Sequence, residues 1–355
     1  MSSTRPADTT APSISTPVRR SSEPARTMSA AAYRRFGGPE VVGLRELPIP
    51  APGADDVLIR VHASTVSAAA RRARSRDVPR GLGLPTALAL GVVSPRHPVL
   101  GMDVAGVVES VGANVTRFEP GDEVIAMLGA EFGGHAEYAC LPADGAIARK
   151  PRNMDFEEAV SLVFGGITAR GFLDAVAIEP GDTVLVNGAS GAVGTAMVQL
   201  AKHMGAHVTG VSSSANADLV TALGADRVID YAVLDFTAES RTYDVIVDCV
   251  GNAGFERAEG SITPGGALLL VISDLLGMLR APGRSRRSGT RVIAGGGAYT
   301  AEKLEFLVAL AEAGRYRAVI DRTYELADVV EAHRYVDTGR KVGNVVVRVA
   351  ASPAR

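Results

Sequence analysis

Thr183-Val184-Leu185-Val186-Asn187-Gly188-Ala189-Ser190-Gly191-Ala192-Val193-Gly194 is a strand that runs into a glycine turn, and Ala192 to Met204 continues it as a helix. In that setting each glycine has a physical job. Gly191 lets the backbone approach a diphosphate, Gly194 lets the helix pack tightly on the strand, and the helix start offers unpaired N–H groups at the positive end of its dipole. Ala189 stands where the strict GxGxxG pattern has its first glycine, so the match to that pattern is partial. The stretch predicts a dinucleotide on residues Ala189, Ser190, Gly191, Ala192, Val193 and Gly194.

The next strand, His207 to Val211, ends in Ser212-Ser213-Ser214-Ala215-Asn216. A site for NADH needs a carboxylate near this point to accept from the ribose 2′-hydroxyl, and none is present. Ser212, Ser213 and Asn216 can donate to a 2′-phosphate instead, which points to NADPH, although no Arg or Lys lies in this loop. Tyr231, after Val228-Ile229-Asp230, is a candidate neighbour of the adenosine phosphate; half-buried packing is its bland alternative.

Outward from the turn, strand and helix alternate. Arg227–Asp230, Tyr243–Asp248 and Ala267–Ile272 are short unbroken β-rich runs, the pattern of strands buried on both faces of a parallel sheet. Before Pro151 the texture differs: short apolar bursts such as Val57–Val61, Asp103–Val111 and Glu123–Met127 are broken by Gly and Pro turns, as in a mostly-β domain. An acidic first turn at Asp155-Phe156-Glu157-Glu158 opens a longer helix. After Thr300 come a helix (Glu302 to Ala313), a β-rich Tyr316–Ile320, a second helix near Ala327 to Asp337 and a closing strand Asn344 to Val349. The expected division is a leader over 1–27, a first domain over 28–150 completed by 300–355, and a nucleotide domain over 151–299.

Composition narrows the function classes. A net charge of −2 argues against a chain built to neutralise nucleic-acid phosphates or to lie on an anionic membrane, which leaves a small molecule as the expected partner. No apolar run reaches the roughly 18 residues of a membrane span. Residues 1–27 are rich in Ser, Thr, Pro, Ala and Arg without the apolar stretch of a secretory signal, and read as a disordered leader. Cys140 and Cys249 stand far apart with no ligand spacing around them, which fits two buried thiols in a reducing cytoplasm. The six histidines show no ligand spacing beyond His203 and His207, and Gly205 separates that pair.

Asn187–Gly194, Leu223-Gly224-Ala225-Asp226-Arg227-Val228-Ile229-Asp230-Tyr231 and Tyr243–Gly251 together resemble the medium-chain dehydrogenase/reductase superfamily in its zinc-free, quinone oxidoreductase-like branch. The likeness extends through Leu100–Gly106, Arg117–Val124 and Phe164–Ala169 and covers nearly all of 28–350. It implies an α/β chain: a GroES-like mostly-β catalytic domain and an inserted Rossmann domain with a doubly wound parallel sheet, NADPH between them, and a homodimer paired through sheet edges. It also implies Thr168, Cys249, Val250, Gly251, Val271, Ile272, Ala294 and Gly295 as cofactor neighbours, with Lys341 and Asn344 closing over the cofactor.

Where the superfamily's zinc enzymes carry Gly-His-Glu, this chain reads Gly101-Met102-Asp103, and no Cys lies between Ser64 and Arg74, so a tetrahedral catalytic zinc lacks ligands. A reductase without that metal polarises its acceptor with hydrogen-bond donors. Ser67 stands where the branch often has Asn or Thr and is the candidate catalytic donor; a hydroxyl bonded to backbone is its alternative. The branch's Asp three residues on is Ala70 here. Hydride transfer to a quinone, activated alkene or carbonyl is the expected activity, and an NADPH-binding sensor or structural protein with little turnover is the rival. Arg71, Arg72, Arg74 and Arg76, and Arg284, Arg286 and Arg287 in a Gly/Pro/Ser-rich loop, read as solvated surface. Pro79 to Pro98 reads as an apolar flap or a covering loop.

Overall fold

A computed structural model describes residues 26–349. Residues 1–25 of the expected leader lie outside that range, whereas Thr27 already opens a strand and pairs with Pro48. In the first part of the chain, β1 (Thr27–Tyr33), β2 (Val42–Pro48) and β3 (Asp56–Thr65) precede α1 (Ala68–Ser75) and α2 (Gly83–Leu90). The strands β4 (Asp103–Val111), β5 (Glu123–Met127), β6 (Tyr138–Pro142) and β7 (Ile147–Arg149) follow, and then α3 (Phe156–Leu173). A capping box starts α3: Asp155 accepts from Glu158 N–H at 2.9 Å while the Glu158 carboxylate accepts from Asp155 N–H at 3.1 Å.

The second part alternates as the sequence predicts. It runs β8 (Thr183–Asn187), α4 (Ala192–His203), β9 (His207–Ser212), α5 (Ala217–Ala222), β10 (Arg227–Asp230), β11 (Tyr243–Asp248), α6 (Phe255–Ala258), β12 (Ile262–Leu270), α7 (Leu275–Ser288) and β13 (Arg291–Ala294). These six strands form one parallel sheet in the order β10-β9-β8-β11-β12-β13, so the winding reverses between β8 and β11. Crevices at such a reversal, outside the strand C-termini, are where doubly wound sheets bind ligands. The chain closes with α8 (Ala301–Glu312), β14 (Ile320–Glu325), α9 (Val329–Asp337) and β15 (Asn344–Arg348). Both last strands join the sheet of the first part, in the order β14-β15-β3-β4-β5-β7 with β6 also on β3.

Three segments depart from the sequence reading. The Gly/Pro/Ser-rich stretch around Arg284 is the helix α7, because Asp274 accepts from Gly277 N–H at 2.6 Å and Ser285 folds its hydroxyl back onto Ala281 O at 3.0 Å. Within Pro79–Pro98, α2 forms with no buried residue. The strand placed at Tyr316–Ile320 begins instead at Ile320, since Gln199 takes both backbone groups of Arg317: Arg317 N–H donates to Gln199 Oε1 at 2.9 Å, and the Gln199 amide donates to Arg317 O at 3.2 Å. A backbone satisfied this way is not available to a sheet ladder.

Small residues on α3 decide how the nucleotide sheet is held. A Cβ on Gly165 would come within 2.3 Å of Ala192 O, so only glycine lets α4 approach so closely. Consequently α3, almost wholly buried, lies against both α4 and the strands of the first sheet and carries one continuous core between them.

Candidate functional site

At the reversal point the turn after β8 makes the cradle. Gly188 has φ +82°, and Gly191 caps α4 without a side chain, leaving the amides of Ala192, Val193 and Gly194 without intrahelical acceptors. Packing fixes Gly194: a Cβ there would sit 2.0 Å from Gly188 O, whereas one on Gly191 would find nothing nearer than 3.6 Å. Gly188 and Ala189 are pinned to the neighbouring strand by N–H donation to Val211 O at 3.0 and 2.9 Å.

A cavity of about 790 Å³ opens from this turn. Ser190, Ser212, Ser213, Asn216, Tyr231, Val250 and Lys341, all expected cofactor neighbours, line it. Asn216 donates to Ser190 Oγ at 3.2 Å, tying the end of β9 to the glycine turn. Leu234 and Phe236 give the cavity an apolar wall. The sequence reading missed Arg340, which lines the same cavity, is exposed and has no acidic partner among the described residues. Arg257 lines it too, already paired with Asp235 at 2.7 Å. The C-terminal strap reaches the turn because Gly343 N–H donates to Ser190 O at 2.8 Å. Lys341 donates to Gly343 O at 2.6 Å, and burial pushes its ammonium down to about 8.

Gly251 and Ile272 lie together on a second cavity of about 370 Å³, with Pro79 of the first part also on its wall. The loop between them and the turn is organised by Asp248: buried, it accepts from the Asn187 amide at 2.9 Å, from Val250 and Gly251 N–H at 3.0 Å each and from Ala253 N–H at 2.8 Å. Thr168 on α3 has a buried hydroxyl that makes no hydrogen bond of ordinary geometry among the described residues, with the Tyr299 side chain as its polar neighbour.

Other expected residues line neither cavity. Gly191 to Gly194 form the N-cap and first turn of α4 and Ala189 the turn before it; Cys249 is half-buried, its thiol pushed up by desolvation; Val271, Ala294 and Gly295 sit at the strand ends beyond. Asn344 faces inward, its amide donating to Ser161 O at 2.9 Å and Val319 O at 3.1 Å. Ser67 is the N-cap of α1 and accepts from Ala70 N–H at 3.1 Å, the backbone-bonded alternative. Its own proton has only Met102 Sδ, at 3.9 Å.

Asp103, beside Met102, is fully buried and accepts from Thr65 N–H and Oγ1 at 2.9 Å each. Desolvation pushes its carboxyl up to about 7 against those bonds. Since the folded state binds the proton more tightly than the unfolded chain, this group costs stability as pH rises from about 4 to about 7. Burial holds the nearby His135 down to about 4 and His333 down as well, and these favour the fold as pH rises, so the Asp103 effect is isolated by difference. Asp103→Asn is expected to gain stability over wild type by about 2 kcal/mol more at pH 7.5 than at pH 4.5, read from urea midpoints. An equal gain at both pH values would show that Asp103 is ionised throughout.

Among the described residues, no three His, Cys, Asp or Glu side chains converge to hold a metal ion, and no helix is long and apolar enough to cross a membrane. Residues 53–152 match the family described as alcohol dehydrogenase GroES-like domain, and residues 223–347 match that described as zinc-binding dehydrogenase. The Homo sapiens quinone oxidoreductase is 31% identical over 88% of this chain and 95% of its own length. The chain belongs to the medium-chain dehydrogenase/reductase superfamily, in its quinone oxidoreductase-like branch.

Like other members of that superfamily, the chain is a nicotinamide-dependent oxidoreductase. The Solanum lycopersicum 2-methylene-furan-3-one reductase is similar at 33% identity over 90% of this chain and 79% of its own length. Among solved structures, the quinone oxidoreductase from Coxiella burnetii superposes with a TM-score of 0.81 at 28% identity, covering 92% of this chain and all of its own.

Proposed function

We propose that the protein is an NADPH-dependent, zinc-independent reductase of quinones and activated alkenes, with carbonyl compounds as further acceptors. The observation that carries this reading is one cavity in which the glycine turn, a β9 terminus without a carboxylate, and the unpaired Arg340 meet. The relatives named as quinone and furanone reductases support the acceptor class and disfavour a sensor without turnover.

When bound, NADPH supplies a hydride from its nicotinamide ring. The amides at the start of α4 hold its diphosphate. Arg340 presents a planar fork to the 2′-phosphate, helped by Ser212, Ser213 and Asn216, and supplies the positive charge that the β9 loop lacks. Thr168, beside Tyr299 on the buried face of α3, gives the nicotinamide end a hydroxyl donor. Ser67 keeps its acceptor role in the α1 cap and turns its proton, held only by a thioether, toward the acceptor oxygen; water completes the protonation.

Zinc has no adequate ligand set near Ser67. A thioether stands at Met102, and Asp103 is committed to Thr65. The open edge of β13 is the place for a second copy to pair.

Ser213→Asp puts a carboxylate beside the 2′-phosphate. It is expected to lower kcat/KM for NADPH at least ten-fold and that for NADH by less than two-fold, measured with a para-benzoquinone acceptor. An unchanged ratio of the two would place the 2′-phosphate elsewhere.

A further inference from the structure

At the far end of α4 from the glycine turn, Lys202, His203, Arg315 and Arg317 line a cavity of about 440 Å³ whose wall contains no acidic side chain. Its geometry is fixed from behind. Gly314, at φ +69°, turns the chain out of α8, and Arg315 N–H closes that turn on Leu310 O at 2.8 Å. Tyr316 is buried, whereas Arg315 and Arg317 on either side of it are exposed. The Gln199 amide grips both backbone groups of Arg317, as described above, and Gln199 itself is buried. His203 rests edge-on against Phe306, with ring centroids 6.2 Å apart.

Charge bookkeeping favours an anion here. Lys202 is paired with Asp226 at 2.6 Å and its charge is largely offset. Arg315 and Arg317 have no acidic partner among the described residues. The C-terminal end of α4 adds about half a negative charge, which two guanidinium groups outweigh. Two planar guanidinium forks on the wall of one cavity fit a pair of adjacent phosphoryl groups better than a single point anion.

We propose that this cavity is a second anion site, distinct from the nucleotide crevice, that takes a small molecule bearing a diphosphate. The class follows from the arginine pair and from a volume that suits a compact ligand.

The test is a calorimetric titration of inorganic pyrophosphate into the full-length chain held at saturating NADPH, repeated with Arg315→Gln/Arg317→Gln and with Arg340→Gln. The inferred site predicts one-to-one binding that falls at least ten-fold in the double variant and is unchanged in Arg340→Gln. Both arginines are exposed, so an unchanged thermal midpoint checks that the double variant is folded. No binding up to about 10 mM pyrophosphate, or equal binding by wild type and the double variant, would overturn the assignment. Loss in Arg340→Gln instead would place the pyrophosphate in the nucleotide crevice. Capture of a single-stranded oligonucleotide through Arg315 and Arg317 without pyrophosphate binding would overturn the small-molecule class.

Discussion

Gly194→Val is expected to weaken NADPH binding at least a hundred-fold while Gly191→Ala weakens it about ten-fold. The two substitutions fail for different reasons. A Cβ on Gly194 would collide with Gly188 O at 2.0 Å and lie 2.8 Å from Gly188 C, both backbone atoms that cannot turn aside. The start of α4 must then move away from β8, and the amides of Ala192, Val193 and Gly194 lose their common aim. Overpacking of this kind also costs about 1–3 kcal/mol of stability. Gly191 has φ −78°, which any residue adopts, and space for a methyl, so Gly191→Ala keeps the fold. Its methyl group meets no protein atom nearer than 3.6 Å, so in the proposed site it opposes the diphosphate alone. Calorimetry with NADPH, paired with urea denaturation, separates the two. Equal affinities for the two variants would show that helix placement is irrelevant to binding.

Arg74→Met is expected to lower stability by about 3 kcal/mol. Arg74 has no exposed surface, yet its guanidinium donates to Asp337 Oδ1 and Oδ2 at 2.6 and 2.7 Å and to Gly37 O at 3.1 Å. It ties α1 to the end of α9, two elements far apart in sequence. Removing the cation leaves Asp337 with Arg71 alone, at 3.3 Å, and leaves Gly37 O without its donor. Asp337 retains some access to water, which keeps the loss near the lower end for a broken buried pair. Arg74→Met/Asp337→Leu is expected to recover more than half of it, because the orphaned carboxylate goes too. Urea midpoints of wild type, both single variants and the double variant close the cycle. Additive losses would mean the pair carries no coupling.

Arg74 also shows where sequence reading stops. As one of four arginines within six residues it reads as solvated surface, and only the packing of α9 turns it into a buried clamp. Local periodicity carried the parallel sheet well, because unbroken apolar runs such as Val184–Val186 and Ile246–Val247 have no other way to be buried. The glycine turn was legible for the same reason: its demands are local. Arg340 was not. It lies some 150 residues from the turn, and the Gly343–Ser190 bond that brings it there leaves no trace in composition or spacing. The start of β14 is not legible in the sequence because a single buried amide, Gln199, takes the backbone bonds of Arg317, a contact no periodicity encodes. Ser67 stayed ambiguous at the sequence level because a helix cap and a catalytic donor ask for the same residue type.

Parallel calorimetric titrations of NADPH and NADH into the full chain decide whether the glycine turn holds a phosphorylated nucleotide. If the turn at Gly188–Gly194 and the pair Ser213 and Arg340 form one nucleotide site, NADPH binds one-to-one and at least ten-fold tighter than NADH. Equal affinities, or no heat from either nucleotide, would contradict it.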